Sequence, residues 1–172
     1  MSTHPSISND EAQTPAIRTL VLGLGNPILS DDAVGLRVAR ELQQRLATRP
    51  DVEVDVNYRG GLQLMERLVG YDRAILIDAM YTRETEAGTV RLLAPTDFPT
   101  RNGGSSHDLS LPEALALGRK IGARVPAPEH VKIVAIEAAE VEIFSEACTP
   151  KVERSIPRAV ELVLAQLDEG RR

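Results

Sequence analysis

The chain of 172 residues contains one cysteine, Cys148. A lone thiol cannot form an intrachain disulfide or build a thiolate cluster for zinc, and its isolation fits a reducing cytosol. Long apolar runs are missing as well: no segment approaches the roughly 20 consecutive apolar residues needed to span a bilayer. Residues 1–16, MSTHPSISNDEAQTPA, lack the basic stretch and apolar core of an export signal and read as a disordered tail. Positive charge is not in excess either. The 20 basic residues are scattered against 25 acidic ones, for a formal charge of −5. That balance argues against a nucleic-acid partner, whose phosphates demand a positive surface. With 42% hydrophobic and 26% charged residues the composition is that of a soluble globule with material for a real core, and the expectation is a cytoplasmic monomer. The expected division is the tail, 1–16, and one α/β domain, 17–168.

Residues 24–35, LGNPILSDDAVG, join an apolar run over 17–23 (IRTLVLG), read as a buried strand, to an amphipathic helix. The helix is marked by Val34, Val38, Leu42 and Leu46, which recur every four residues as one stripe. Between them Gly23, Gly25, Asn26 and Pro27 permit a sharp reversal, and Ser30, Asp31 and Asp32 follow. Val52, Val54 and Val56 alternate with polar neighbours as a second strand, before a Gly60-Gly61 turn and a short helix over 62–69. Residues 73–80 (RAILIDAM) are apolar except for Asp78, the pattern of a central strand covered on both faces, with Asp78 near its carboxyl end.

A further strand is expected over 88–93. Residues 94–108, with Pro95, Pro99, Gly103 and Gly104, show no periodicity and form a long loop. Ser110-Leu-Pro-Glu113 fits a capping box opening a helix to about Gly122. Residues 131–136 make a last inner strand, and Glu137, Glu140, Glu142 and Glu146 read as a solvated acidic stretch. Thr149-Pro150 fits an N-cap with proline at the first helical position, and Ile156, Val160, Val163, Leu164 and Leu167 line a final helix that Pro157 kinks or restarts. This order predicts a three-layer α/β/α sandwich, phosphorylase/hydrolase-like, around a mostly parallel twisted sheet of about five strands, one of them antiparallel.

In an open α/β sheet, ligands bind just outside the carboxyl ends of the strands. Asp32 and Asp78 both fall there. Of the three histidines, His4 lies in the tail and His130 in a Pro-rich turn before a strand, leaving His107 in the loop segment SSHDLSL. Two carboxylates and an imidazole form an open site for a borderline divalent ion, whereas calcium or magnesium would want more oxygens. Plainer roles stand beside this one. Asp31 and Asp32 can serve as helix N-terminal carboxylates, Asp31 being the stronger candidate for a pure cap; His107 can be a surface residue and Cys148 a small, partly buried side chain. Asp78 is harder to explain away, because an ionised carboxylate in an apolar run costs several kcal/mol unless paired or ligated.

The motifs GLGNPILSDDAVG over 23–35, LIDAM around Asp78 and SSHDLSL around His107, in this order and spacing, resemble the hydrogenase maturation proteases. The resemblance covers nearly the whole chain from about Thr19 to Leu167. It implies a cytosolic endopeptidase of the aspartic-type or metal-recognising kind, which removes the C-terminal extension of a hydrogenase large-subunit precursor once nickel has been installed. It also implies that Asp32, Asp78 and His107 are the catalytic and metal-contacting residues. The nickel they touch would be carried by the substrate and not held permanently.

Three other readings compete with this one. Peptidyl-tRNA hydrolases open on a similar GLGNP turn but continue with an Asn/His-containing segment where this chain has SDDAVG. A non-catalytic nickel or metal sensor could use the same three side chains. A dinucleotide-binding module would need a glycine where Ile28 stands, and Asp31 and Asp32 would repel pyrophosphate. A serine or cysteine nucleophile finds no support: Cys148 has no recognisable partner, and Ser105 and Ser106 lack a triad setting. The Asp-Thr-Gly signature of pepsin-like enzymes is absent too.

Overall fold

The apolar run near the start becomes β1 (Thr19–Leu24), whose Leu20, Val21 and Leu22 are fully buried. A computed structural model describes residues 17–58, 60–99 and 109–169. The tail with His4, and the segment holding Gly103, Gly104, Ser105, Ser106 and His107, lie outside the described residues. After β1 the chain forms a single 3-10 turn (Asp31–Ala33), α1 (Val34–Arg45), β2 (Val52–Asn57), α2 (Leu62–Leu68), β3 (Arg73–Met80) and β4 (Val90–Leu93). Then come α3 (Leu111–Lys120), β5 (Val131–Glu137), α4 (Pro150–Glu153) and α5 (Ile156–Glu169). No helix among the described residues is long and apolar enough to cross a membrane.

The sheet has the order β2-β1-β3-β5-β4, with parallel pairing except for β4, which runs antiparallel to β5. Alternation along the strands divides the core in two. Val21, Ile75, Ile77, Val134 and Ile136 pack with α1 and α5 through Val34, Val38, Leu42, Val160 and Val163. Leu20, Leu22, Leu76 and Ile133 pack on the other face with Leu64 and Leu68 of α2 and Leu115 of α3. These are the three layers expected.

From β1 the chain moves out one way to β2 through α1, then back past β1 to β3 through α2. The strand order therefore reverses at β1, and a crevice opens at the carboxyl ends of β1 and β3, as such reversals do in open α/β sheets.

The capping box forms: Ser110 Oγ accepts the Glu113 N–H, and Glu113 Oε2 accepts the Ser110 N–H at 2.8 Å. Pro157 sits in the first turn of α5, after α4 has ended at Glu153, so it restarts a helix instead of kinking one. Thr149 precedes Pro150 as expected, but its hydroxyl does not cap α4; it donates to Asp31.

One contact decides where α1 begins. A Cβ on Gly35 would lie 2.3 Å from the Ile77 carbonyl oxygen and 2.4 Å from that of Leu24, so the first turn of α1 rests directly on the backbones of β1 and β3. A Cβ on Gly23 would meet the Gly35 oxygen at 2.4 Å from the other side. Gly25, at φ 142°, turns the chain where a Cβ would strike the Asp32 carbonyl at 1.9 Å.

At the outer edge, Glu53 and Asp55 of β2 engage Arg67 of α2, and Glu53 also meets Arg18 at 3.7 Å.

Substituting Gly35→Ala should force α1 off the strands. Urea denaturation should show a loss of about 2–3 kcal/mol, the scale of overpacking in a close-packed interior; an unchanged midpoint would contradict the close approach.

Candidate active site

The reversal at β1 places two acids, far apart in sequence, around one cavity. Asp32 is 4% exposed in the 3-10 turn before α1, and its Oδ2 accepts the Asn26 N–H at 2.8 Å. Asp78 is half-buried on β3. Its register neighbour on β5 is Ala135, and one residue earlier Ile77 pairs with Gly23 of β1, so Asp78 lies beside Leu24 at the end of that strand. Both acids line a cavity of about 370 Å³. Its floor is apolar, from Leu24, Leu64, Leu76 and Ile133, and its rim includes Asn26, Asn57 and Tyr58.

Gly60 and Gly61, in the turn before α2, form one wall, and Phe98 and Pro99 form another. Leu109 and Ser110 also line the cavity. The segment that carries His107 thus leaves the described structure at the cavity wall and returns to it there, while His107 itself lies outside the described residues. Among the described residues lining the cavity, the only charged ones are Asp32 and Asp78. Two carboxylates lining one cavity favour a positive ligand or a group that delivers a proton. Among the described residues no group of three or more His, Cys, Asp or Glu is arranged to hold a metal ion.

Asp31, the stronger candidate for a pure helix cap, has a different role in the structure. It is fully buried and caps nothing of its own turn. Its Oδ2 accepts from the Ala139 N–H (2.8 Å), the Glu140 N–H (3.0 Å) and the Thr149 hydroxyl (3.0 Å), and its Oδ1 from the Thr149 N–H (2.6 Å). The carboxylate fastens the loop after β5 and the start of α4 to the turn after β1. Charge-assisted bonds of this kind are the strong ones.

Glu137 is a second correction. It is not part of a solvated stretch but the last residue of β5, 1% exposed. Its carboxylate accepts the Thr82 N–H (2.8 Å), the Arg83 N–H (2.9 Å) and the Thr82 hydroxyl (2.8 Å), fixing the loop after β3 where Arg83 turns through φ 61°. Farther along, Glu142 and Glu146 are exposed as expected. Neither role is marked by a local motif, because the donors lie 54 and 55 residues away for Glu137 and more than 100 for Asp31. The apolar run that precedes Glu137 was the available signal: a strand buried on both faces leaves its last residue little room to reach water.

Cys148 is buried beneath the same turn, where its thiol donates to the Ser30 carbonyl at 3.6 Å. Burial pushes the thiol up to about 11; nearby Arg37 opposes the shift, and Asp31 and Glu153 add to it. A thiol held protonated in this way is no nucleophile at neutral pH.

Comparison with known proteins agrees with this geometry. The sequence model of a family described as HycI, hydrogenase maturation protease, matches residues 36–166, a stretch that takes in Asp78 and His107 and begins just after Asp32. The hydrogenase 2 maturation protease of Escherichia coli K12 is 33% identical over 158 residues, 90% of this chain and 93% of that protein. Among solved structures, the hydrogenase-maturating endopeptidase HybD of E. coli superposes with a TM-score of 0.71 at 30% identity, covering 90% of this chain and 94% of that one. The [NiFe] hydrogenase maturation protease HycI of Thermococcus kodakarensis KOD1 shares the fold, with a TM-score of 0.64 at 21% identity over 85% of this chain and 89% of that one.

Two measurements check the buried groups. Asp31→Ala should cost at least about 3 kcal/mol in urea denaturation, since it strands several donors at once, and should speed hydrogen exchange at the Ala139, Glu140 and Thr149 amides; exchange unchanged at all three would refute the staple. Iodoacetamide should label Cys148 slowly at pH 8 in the folded chain and quickly once the chain is unfolded. The folded value stands above the unfolded one near 9, so stability from this thiol is complete below pH 9 and declines as pH rises from 9 toward about 11.

Proposed function

The chain belongs to the hydrogenase maturation protease family, and from that premise we propose that it removes the C-terminal extension of a hydrogenase large-subunit precursor once nickel is in place. As a member of that family it is a hydrolase of peptide bonds acting in hydrogenase maturation. The finer reading assigns Asp32, Asp78 and His107 to the client's nickel and to the scissile bond. One observation carries it: Asp32 and Asp78 line one cavity, and the segment bearing His107 begins and ends at the wall of that cavity. Nickel here belongs to the substrate.

The donor set suits such a client. Two carboxylates hold a free divalent ion weakly, because an open site of few ligands leaves most of the ion to water. A nickel already bound by the precursor brings its other ligands with it, so the carboxylates add their contacts to an ion that is placed and oriented. The extension then lies along the groove between the Gly60-Gly61 turn and Phe98, with its peptide bond near the acids. As water attacks the scissile carbonyl, a carboxylate of the pair accepts its proton; the carbon–nitrogen bond breaks and that proton passes to the departing amine. Asn26 holds the Asp32 carboxylate in place through its backbone N–H. Without nickel in the precursor, nothing aligns the bond with the acids, which makes cleavage a checkpoint on metal insertion. We assign the reaction to the cytoplasm.

Purified precursor large subunits, loaded with nickel or free of it, test this reading. Loaded precursor should lose its extension, and metal-free precursor should be cut at least about 100-fold more slowly; equal trimming of both would sink the checkpoint. Asp32→Ala, Asp78→Ala and His107→Ala should each lower the rate on loaded precursor by about 100-fold or more. Full activity in all three would remove the site assignment and leave the family membership standing.

A further inference from the structure

Beside the cavity the loops after β1 and β5 pair as a short antiparallel ribbon. The Ser30 N–H donates to the Ile143 carbonyl at 3.0 Å and the Ser145 N–H to the Ile28 carbonyl at 3.1 Å, with Leu29 facing Phe144 between them. The ribbon is tied from below. Asp31 grips the loop after β5, the Ser30 hydroxyl donates to the Ala147 carbonyl at 3.3 Å, and Arg37 donates to the Glu146 carbonyl.

Yet its outer surface is apolar. Ile28 is 54% exposed, Ile143 58% and Phe144 77%, the highest exposure among the large apolar side chains described. Three such side chains held in water on a tethered backbone form the kind of rimmed apolar patch that marks an interaction surface. Glu142 and Glu146, both exposed, supply an acidic rim.

We propose that this ribbon docks the folded body of the hydrogenase large-subunit precursor, through a client patch that is apolar at its centre and basic at its edge. The inference rests on the reading of the chain as the protease of that precursor. Continuity with the cavity identifies the occupant. Asn26 donates its N–H to Asp32 and accepts the Ile28 N–H on its side-chain oxygen, so the ribbon and the acid are anchored on one residue. A client that brings its metal to Asp32 is thereby brought beside the ribbon. A detached tail would fill the cavity without touching it, so the ribbon distinguishes a folded precursor from a loose peptide. The glutamates of the rim favour a client surface of opposite sign and speed its encounter.

The test uses the full chain and nickel-loaded precursor. Phe144→Ser and the double variant Ile143→Ser/Phe144→Ser alter exposed side chains, so thermal unfolding should match the wild type. KM for loaded precursor should rise at least about ten-fold, as when a central aromatic anchor is lost from an interface, while kcat stays within about two-fold. If wild type and variants cleave with the same KM, the docking role is refuted and the protease reading survives. If sedimentation shows a wild-type dimer that the variants break with KM unchanged, the ribbon is covered by a second copy and the proposal fails. If wild type does not cleave loaded precursor, the protease reading falls and the docking role falls with it.

Discussion

Everything at the carboxyl edge of the sheet depends on how closely the first turn of α1 lies against the strands. Gly35 leaves no room for a side chain between the helix and the carbonyls of Leu24 and Ile77, and Gly23 fills its side of the contact in the same way. A helix seated one side-chain layer higher would lift the acidic turn away from β3. The cavity shared by Asp32 and Asp78 would then open into two separate surfaces, and Asp31 would lose its reach to the loop after β5.

The adjacent carboxylates of this turn divide two roles between them. Asp31 points inward and is saturated: four donors from residues 139, 140 and 149 occupy its two oxygens. Asp32 lines the cavity, and its Oδ2 accepts the Asn26 N–H. A buried carboxylate surrounded by N–H and O–H groups is a structural fastener, because those donors compensate its desolvation. The same group in a half-open cavity keeps its chemistry available. Glu137 repeats the fastening role at the end of β5, so the exits of three strands are held by buried acids while the cavity is built from exits thus immobilised. Precise chemistry needs a framework of this kind.

The fold was largely legible in the sequence. RAILIDAM coincides with β3 end to end, the stripe Val34, Val38, Leu42, Leu46 forms the buried face that begins with α1, and the capping box at Ser110 opens α3. The strand foreseen over 88–93 is shorter, starting at Val90. These elements are written in local periodicity and capping chemistry, which one sequence displays directly. Of the site, Asp32 and Asp78 could be anticipated as strand-exit acids, and their common cavity agrees with that placement. His107 was legible only through its motif. The roles of Asp31 and Glu137 escaped because hydrogen bonds across 50 to 118 residues leave no periodic trace, and an aspartate at a helix start looks the same whether it caps that helix or binds a distant loop.

The rim of the sheet carries its own implication. β2 presents Glu53 and Asp55 locked to arginines along its outer margin, and β4 at the opposite border is only four residues long. Borders that are charged or truncated resist the addition of a stray extended segment. Sheet margins of this kind, among the described residues, make self-templated aggregation less favourable.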